Sequence, residues 1–210
     1  MIEIAASLQA ANPLDIAAEL TSIEGLVDRL HLDIMDGHMV PNLALSTDLV
    51  RAIPDTWQRD LHLMVEKPDV VAEWLDLRAG DTLYFHPYAI SSPEKLVSSL
   101  TDRGVIPGFA INLEYDLPAN FATLALVDHF LVMGITPGFS GKHMDEKTTS
   151  RIQWLRERFP QATIAVDGGV NDKNALNLIR VGANILVVGS YLFSTADRKV
   201  AIDHIRDISL

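Results

Sequence analysis

Eight short apolar runs, each followed by a stretch of helical character, set the tightest limit on how this chain can fold. The runs cover residues 2–7, 30–34, 61–65, 82–86, 106–111, 129–133, 163–167 and 185–188. Helical segments are expected over 13–23, 47–52, 93–103, 121–124, 146–158 and 196–208, with two more between them. One of these opens at Lys67-Pro68 and carries Val70, Val71, Trp74 and Leu75 at helical spacing; the other is capped by Asn171 and runs to about Val181. Strand and helix in strict alternation imply a parallel sheet with right-handed crossovers. Eight such units with no linker-like stretch point to one domain, residues 1–210, folded as a closed (β/α)8 barrel. An open doubly wound sheet would carry a Gly-x-Gly-x-x-Gly turn after its first strand, and residues 7–13 contain no glycine. With 48% apolar residues the chain has enough material for a sizeable core, and Trp57, Trp74 and Trp154, on or near expected helices, are assigned to packing.

In such a barrel the chemistry sits at the C-terminal ends of the strands. The second strand shows this most clearly, in Leu30-His31-Leu32-Asp33-Ile34-Met35-Asp36-Gly37-His38-Met39-Val40-Pro41-Asn42. Leu30, Leu32 and Ile34 alternate with His31 and Asp33, which puts an imidazole and a carboxylate on one face. His62 ends the third strand and Asp167 the seventh. Two imidazoles and two carboxylates at equivalent strand ends suit one divalent metal ion such as Zn, Mn, Fe or Co. His38, His129 and His143 fall outside this set and are expected at the surface or the edge of the core.

A second constellation suits phosphate. Thr136-Pro137-Gly138-Phe139-Ser140-Gly141 follows the sixth strand, Asp167-Gly168-Gly169-Val170-Asn171 the seventh, and Val188-Gly189-Ser190 the eighth. Glycines admit close backbone approach, and backbone N–H groups at helix starts bind anions. Met35, Met64 and Met133 also sit at strand ends, where soft side chains could floor a site, although core filling explains any one of them alone. A metal beside a phosphate cradle suits proton abstraction next to a ketone, with the ion as Lewis acid for an enediolate. Inverting a carbon needs an acid/base group on each face, and Asp33 and Asp167 come from strands on different sides of the mouth.

Charge and composition remove other classes. A net charge of −11 disfavours nucleic acid and anionic membranes as partners, but leaves room for a small phosphorylated substrate held by local donors. The chain has no cysteine, so disulfides, zinc–thiolate sites and thiol nucleophiles are out. No apolar run approaches a membrane span, and Glu3 near the start argues against a signal peptide, so a cytoplasmic location is expected.

The motifs around residues 30–42, Leu61-His62-Leu63-Met64, Pro137-Gly138-Phe139, Val166-Asp167-Gly168-Gly169-Val170 and Gly189-Ser190 resemble, in order and over nearly the whole chain, the ribulose-phosphate 3-epimerase family. The resemblance implies a barrel enzyme that interconverts D-ribulose 5-phosphate and D-xylulose 5-phosphate. It implies that His31, Asp33, His62 and Asp167 hold the metal beside the substrate and that the two aspartates are the acid/base pair. It further implies that Ser7 meets substrate hydroxyls and that Met35, Met64 and Met133 flank the enediolate. Gly138, Phe139, Ser140, Gly141, Gly168, Gly169, Gly189 and Ser190 would hold the phosphate, and the chain would form homo-oligomers. Ala6, residues 9–12, Leu113, Ser140 and Lys142 depart from the family's usual residues, and none of these removes a ligand or proton carrier. Allulose 6-phosphate 3-epimerases share the ligands and are the alternative; a non-catalytic phosphosugar-binding protein is the other. An aldolase or decarboxylase on the same barrel usually wants a strand-end lysine, and none is present.

Overall fold

The structure is a computed structural model that describes residues 2–139 and 141–208. Eight parallel strands close into a barrel in sequence order: β1 (Glu3–Ser7), β2 (Arg29–Met35), β3 (Arg59–Met64), β4 (Thr82–Phe85), β5 (Ile106–Ile111), β6 (His129–Met133), β7 (Thr163–Asp167) and β8 (Ile185–Val188), with β8 pairing back onto β1. Helices α1 (Ile16–Ile23), α2 (Thr47–Ala52), α3 (Pro68–Trp74), α4 (Pro93–Asp102), α5 (Phe121–Leu124), α6 (Lys147–Arg158) and α7 (Ala175–Arg180) each link one strand to the next, and α8 (Ser190–Phe193) and α9 (Arg198–Ile208) follow β8.

Both faces of every strand are covered, as a parallel barrel requires. Leu30, Leu32 and Ile34 of β2 point outward into the main core, with Ile23 of α1, Val50 of α2, Ile152 and Leu155 of α6 and Ile205 of α9 in the same layer. Each such side chain contributes on the order of 2 kcal/mol on burial. The opposite faces fill the barrel interior, where Ala5, Tyr84, Ala110, Leu131, Met133, Ala165, Ile185 and Val187 pack together. Space there is tight. Gly108 stands beside the Tyr84 ring, and a Cβ on it would come within 2.5 Å of that ring, so the one large aromatic fits because its neighbour has no side chain.

The departures from the expected elements have local causes. Asn12 forms a turn, accepting from Leu14 N at 3.1 Å through its side chain, so α1 begins at Ile16 and not at Pro13. Asn171 likewise turns the chain, accepting from Lys173 N at 2.9 Å, and the residue flanking α7 is Asn174. The short helix α8 directly after β8 was not expected, and α9 begins two residues later than the periodicity suggests. Trp74 corrects the packing assignment: it is 61% exposed, because α3 turns Val70 and Trp74 outward while Val71 and Ala72 face the core. Trp57 and Trp154 do pack against the main core. Among the described residues no helix is long and apolar enough to cross a membrane.

Candidate metal centre

The strand register explains why four distant residues meet. Asp33 on β2 is the direct partner of His62 on β3, and His31, two residues earlier on the same inner face, is the partner of Ser7 on β1. Asp167 ends β7, beyond β8 and β1, and turns inward at the same height. One donor atom from each of His31, Asp33, His62 and Asp167 lies within 4.8 Å of the others. The two imidazoles offer different nitrogens. His31 directs Nε2 at Asp33 Oδ1 (3.4 Å) and Asp167 Oδ2 (3.8 Å), whereas His62 directs Nδ1 at the same oxygens (3.2 and 3.9 Å). Ser7 Oγ donates to the other oxygen of Asp33, Oδ2, at 3.0 Å.

Such a group can bind a divalent metal, and the surroundings fit one. Bonds of about 2.1 Å in a tetrahedral shell separate neighbouring donors by about 3.4 Å, close to the spacings found. Both nitrogens of the fully buried His31 lack a hydrogen-bond partner among the described residues, an expensive arrangement for a side chain with no further function.

Charge is unevenly shared across the cluster. Burial opposes a proton on His31, but the Asp33 carboxylate, helped by Asp167 and Asp60, overrides it and lifts the imidazole from 6.5 to about 9. Burial would raise Asp33 too, yet the charge of His31 3.4 Å away, with the hydrogen bond and charge of His62, holds it far below the usual carboxylate range. Asp167 moves the other way: burial raises it, His31 offsets part of the rise, and the Asp33 charge adds to it. Two carboxylates in one site are thus driven apart.

Above the cluster opens a cleft. It gathers Ser7, Asp33, Met35, Met64, Met133, Gly138, Phe139, Gly141, Asp167, Gly168, Gly169, Gly189 and Ser190 from the sequence reading, with His31 and His62 buried beneath. Ser140 lies outside the described residues. Gly168 and Gly169 carry φ of 107° and 73°. A Cβ on Gly169 would come within 2.8 Å of Met144 N, so the bare backbone is needed to seat the loop after β6 against the loop after β7. The loop after β2 is anchored by Asp36, whose carboxylate accepts from His38 N, Met39 N and Glu66 N. It reaches the loop after β6 through Asn42 Nδ2, which donates to Gly138 O at 2.7 Å.

Sequence reasoning missed several contributors. Gln9, Ile135 and Val187 also line the cleft, and only their nearness to strand ends could have marked them; Pro137 and Val170, which line it too, belong to the loop motifs named above. His86 follows β4; its Nε2 lies 3.1 Å from His62 Nε2, and burial holds it well below 6.5. Asp60, the register partner of His31, is buried beneath the cluster and raised by that burial, with Arg29 Nε 3.2 Å away. His38 and His143 are exposed and His129 half-buried, as expected.

Known proteins place this architecture. The sequence model of the ribulose-phosphate 3 epimerase family matches residues 3–193. The ribulose-phosphate 3-epimerase of Helicobacter pylori is 32% identical over 99% of this chain and 98% of its own length, and that of Bacillus subtilis is 31% identical over 98% and 99%. Among solved structures, 3-hexulose-6-phosphate synthase from Salmonella typhimurium superposes with a TM-score of 0.75 at 13% identity, covering 99% of this chain and 98% of that one, which is a likeness of fold. With its buried pair of imidazoles and carboxylates under a glycine-rimmed cleft, and its sequence matched nearly end to end, this chain belongs to the ribulose-phosphate 3-epimerase family.

Proposed function

We propose that this chain is a metal-dependent epimerase that inverts C3 of D-ribulose 5-phosphate to give D-xylulose 5-phosphate. The observation that carries the reading is the pair Asp33 and Asp167, brought from β2 and β7 to one cluster and driven toward opposite protonation states. His31 Nε2, His62 Nδ1, Asp33 Oδ1 and Asp167 Oδ2 are the atoms that would hold the divalent ion. When bound, the ion supplies positive charge that polarises a carbonyl beside the labile proton.

The chain's own groups account for the rest. The imidazoles approach Oδ1 of Asp33 and Oδ2 of Asp167, so the other oxygen of each carboxylate would be left for the substrate. Asp33, the carboxylate kept ionised, takes the C3 proton; Asp167, the one raised, returns a proton to the opposite face of the flat enediolate. The roles reverse in the other direction. Ser7 Oγ keeps Asp33 Oδ2 pointed into the cleft. Met35, Met64 and Met133, all nearly buried, wall the reacting carbon with polarizable groups that offer no competing proton. Gly138, Phe139, Gly141, Gly168, Gly169, Gly189 and Ser190 line the cleft, and their backbone amides would hold the phosphate.

Proton NMR of D-ribulose 5-phosphate in D2O tests the reading, using protein loaded with Zn, Mn, Fe or Co. The expected result is loss of the C3 proton signal with appearance of xylulose 5-phosphate. Exchange without product would mean that only one face is served and that one aspartate is misassigned. No exchange with any of the four metals, but turnover of D-allulose 6-phosphate, would move the substrate to the six-carbon ketose phosphate.

A further inference from the structure

The two histidines of the centre are held differently. His31 Nδ1, the nitrogen turned away from the carboxylates, has no hydrogen-bond partner among the described residues. The corresponding nitrogen of His62, Nε2, lies 3.1 Å from Nε2 of His86, and the rings sit 5.2 Å apart, tilted by 42°. Both residues are fully buried. His86 is itself fixed from two sides. It begins the 3-10 turn Pro87–Ala89, with its carbonyl accepting from Ala89 N at 3.0 Å, and the Tyr88 ring lies 5.3 Å from its own.

Resting on the metal-centre reading above, we infer that His86 is a positioning residue that selects which nitrogen of His62 serves as ligand. Two facing imidazole nitrogens at hydrogen-bond distance share a single hydrogen. A neutral His62 that ligates through Nδ1 carries its proton on Nε2, so it donates to His86 Nε2, and His86 carries its own proton on Nδ1. The hydrogen bond stops the His62 ring from turning and keeps Nδ1 beside Asp33 and Asp167. Ligating histidines are commonly oriented by a carboxylate or carbonyl acceptor. Here the acceptor is an uncharged imidazole, which orients the ligand without adding negative charge to a centre that already holds two carboxylates.

Zinc affinity of the purified protein, measured by chelator competition, tests this with the variants His86→Phe and His86→Gln. Phenylalanine keeps the ring and removes the acceptor; glutamine restores an acceptor oxygen. The expectation is a zinc Kd raised by about 10–100-fold in His86→Phe, a value within a few-fold of wild type in His86→Gln, and a changed visible spectrum of the cobalt form in the first variant alone. Equal zinc affinity in all three proteins overturns the inference. Should His86→Phe not fold, nitrogen-15 NMR of the wild-type zinc form decides. A protonated His62 Nε2 coupled across the hydrogen bond to His86 Nε2 supports the assignment, and coordination through His62 Nε2 overturns it. A wild-type protein that takes up no zinc, cobalt, manganese or iron fails at the metal-centre reading itself, a result distinct from tight binding indifferent to His86.

Discussion

Strand β3 carries two buried polar side chains with opposite fates. Arg59, at its start, faces outward and is completely buried, yet its guanidinium is fully engaged. Nε donates to Asp81 Oδ1 at 3.0 Å, Nη1 to Val50 O at 3.1 Å, and Nη2 to Asp76 O at 2.8 Å and to Asp81 Oδ2. Three residues later His62 faces inward to a cluster where His31 has both nitrogens unpartnered and two carboxylates crowd together. The first group is closed: each guanidinium nitrogen donates to a protein acceptor, and the result is a clamp joining α2, β3 and the segment before β4. The second is open, with more donor capacity than the protein consumes. Burial with complete satisfaction marks structure; burial with leftover capacity marks a place for something else to bind.

The difference can be broken most sharply at the aspartates. Asp33→Asn and Asp167→Asn should each lower kcat by roughly 10²–10⁴-fold, read by the NMR exchange assay, with a thermal melt beside it to establish that each variant is folded at the assay temperature. Activity retained in either variant would remove that carboxylate from the acid/base pair.

Arg59→Met should do the reverse. Leaving Asp81 buried without its partner costs about 3–5 kcal/mol of stability, visible as a lower denaturation midpoint, whereas zinc affinity of the folded fraction should stay within a few-fold of wild type. A stable Arg59→Met protein would show that the clamp can relax, and the contrast between closed and open clusters would lose half its content.

A smaller effect follows from proton linkage in the open cluster. In the metal-free protein His31 keeps its proton to about 9, above its ordinary 6.5. The stabilisation from that charged imidazole is therefore complete below pH 6.5 and fades as pH rises through about 9. Asp33, held low, makes a contribution that is lost only in acid, as pH falls through its depressed value. Metal uptake at neutral pH should displace the His31 proton, so calorimetry in buffers of different ionisation enthalpy should record release of about one proton per ion. Uptake without proton release would mean that His31 is not a ligand. The smallest effect is expected outside both clusters. Trp74→Ala should shift stability by no more than about 0.5 kcal/mol, and a larger loss would show that the exposed ring on α3 is covered in solution.

Much of this molecule is readable along the chain because its local patterns have a single consistent geometry. Period-two runs make strands and periodic apolar segments make helices. Once eight units alternate, barrel closure follows from sheet handedness, and His31, Asp33, His62 and Asp167 must stand at one rim. The glycines of residues 168, 169 and 189 are legible for the same reason, since they directly follow strand ends, and Gly138 lies in the loop after the sixth. What the chain order does not contain is direction in space. Whether His62 presents Nδ1 depends on a ring rotation set by neighbours 24 and 29 residues away. That His86 meets His62, that Arg59 finds Asp81, and that Trp74 faces water are likewise outcomes of register and packing between elements, and no periodicity within one element encodes them. Local sequence determined the scaffold and the identity of the ligating groups; only the closed barrel decided which atoms of those groups face one another, because hydrogen bonds and burial are properties of pairs that the chain brings together only after it folds.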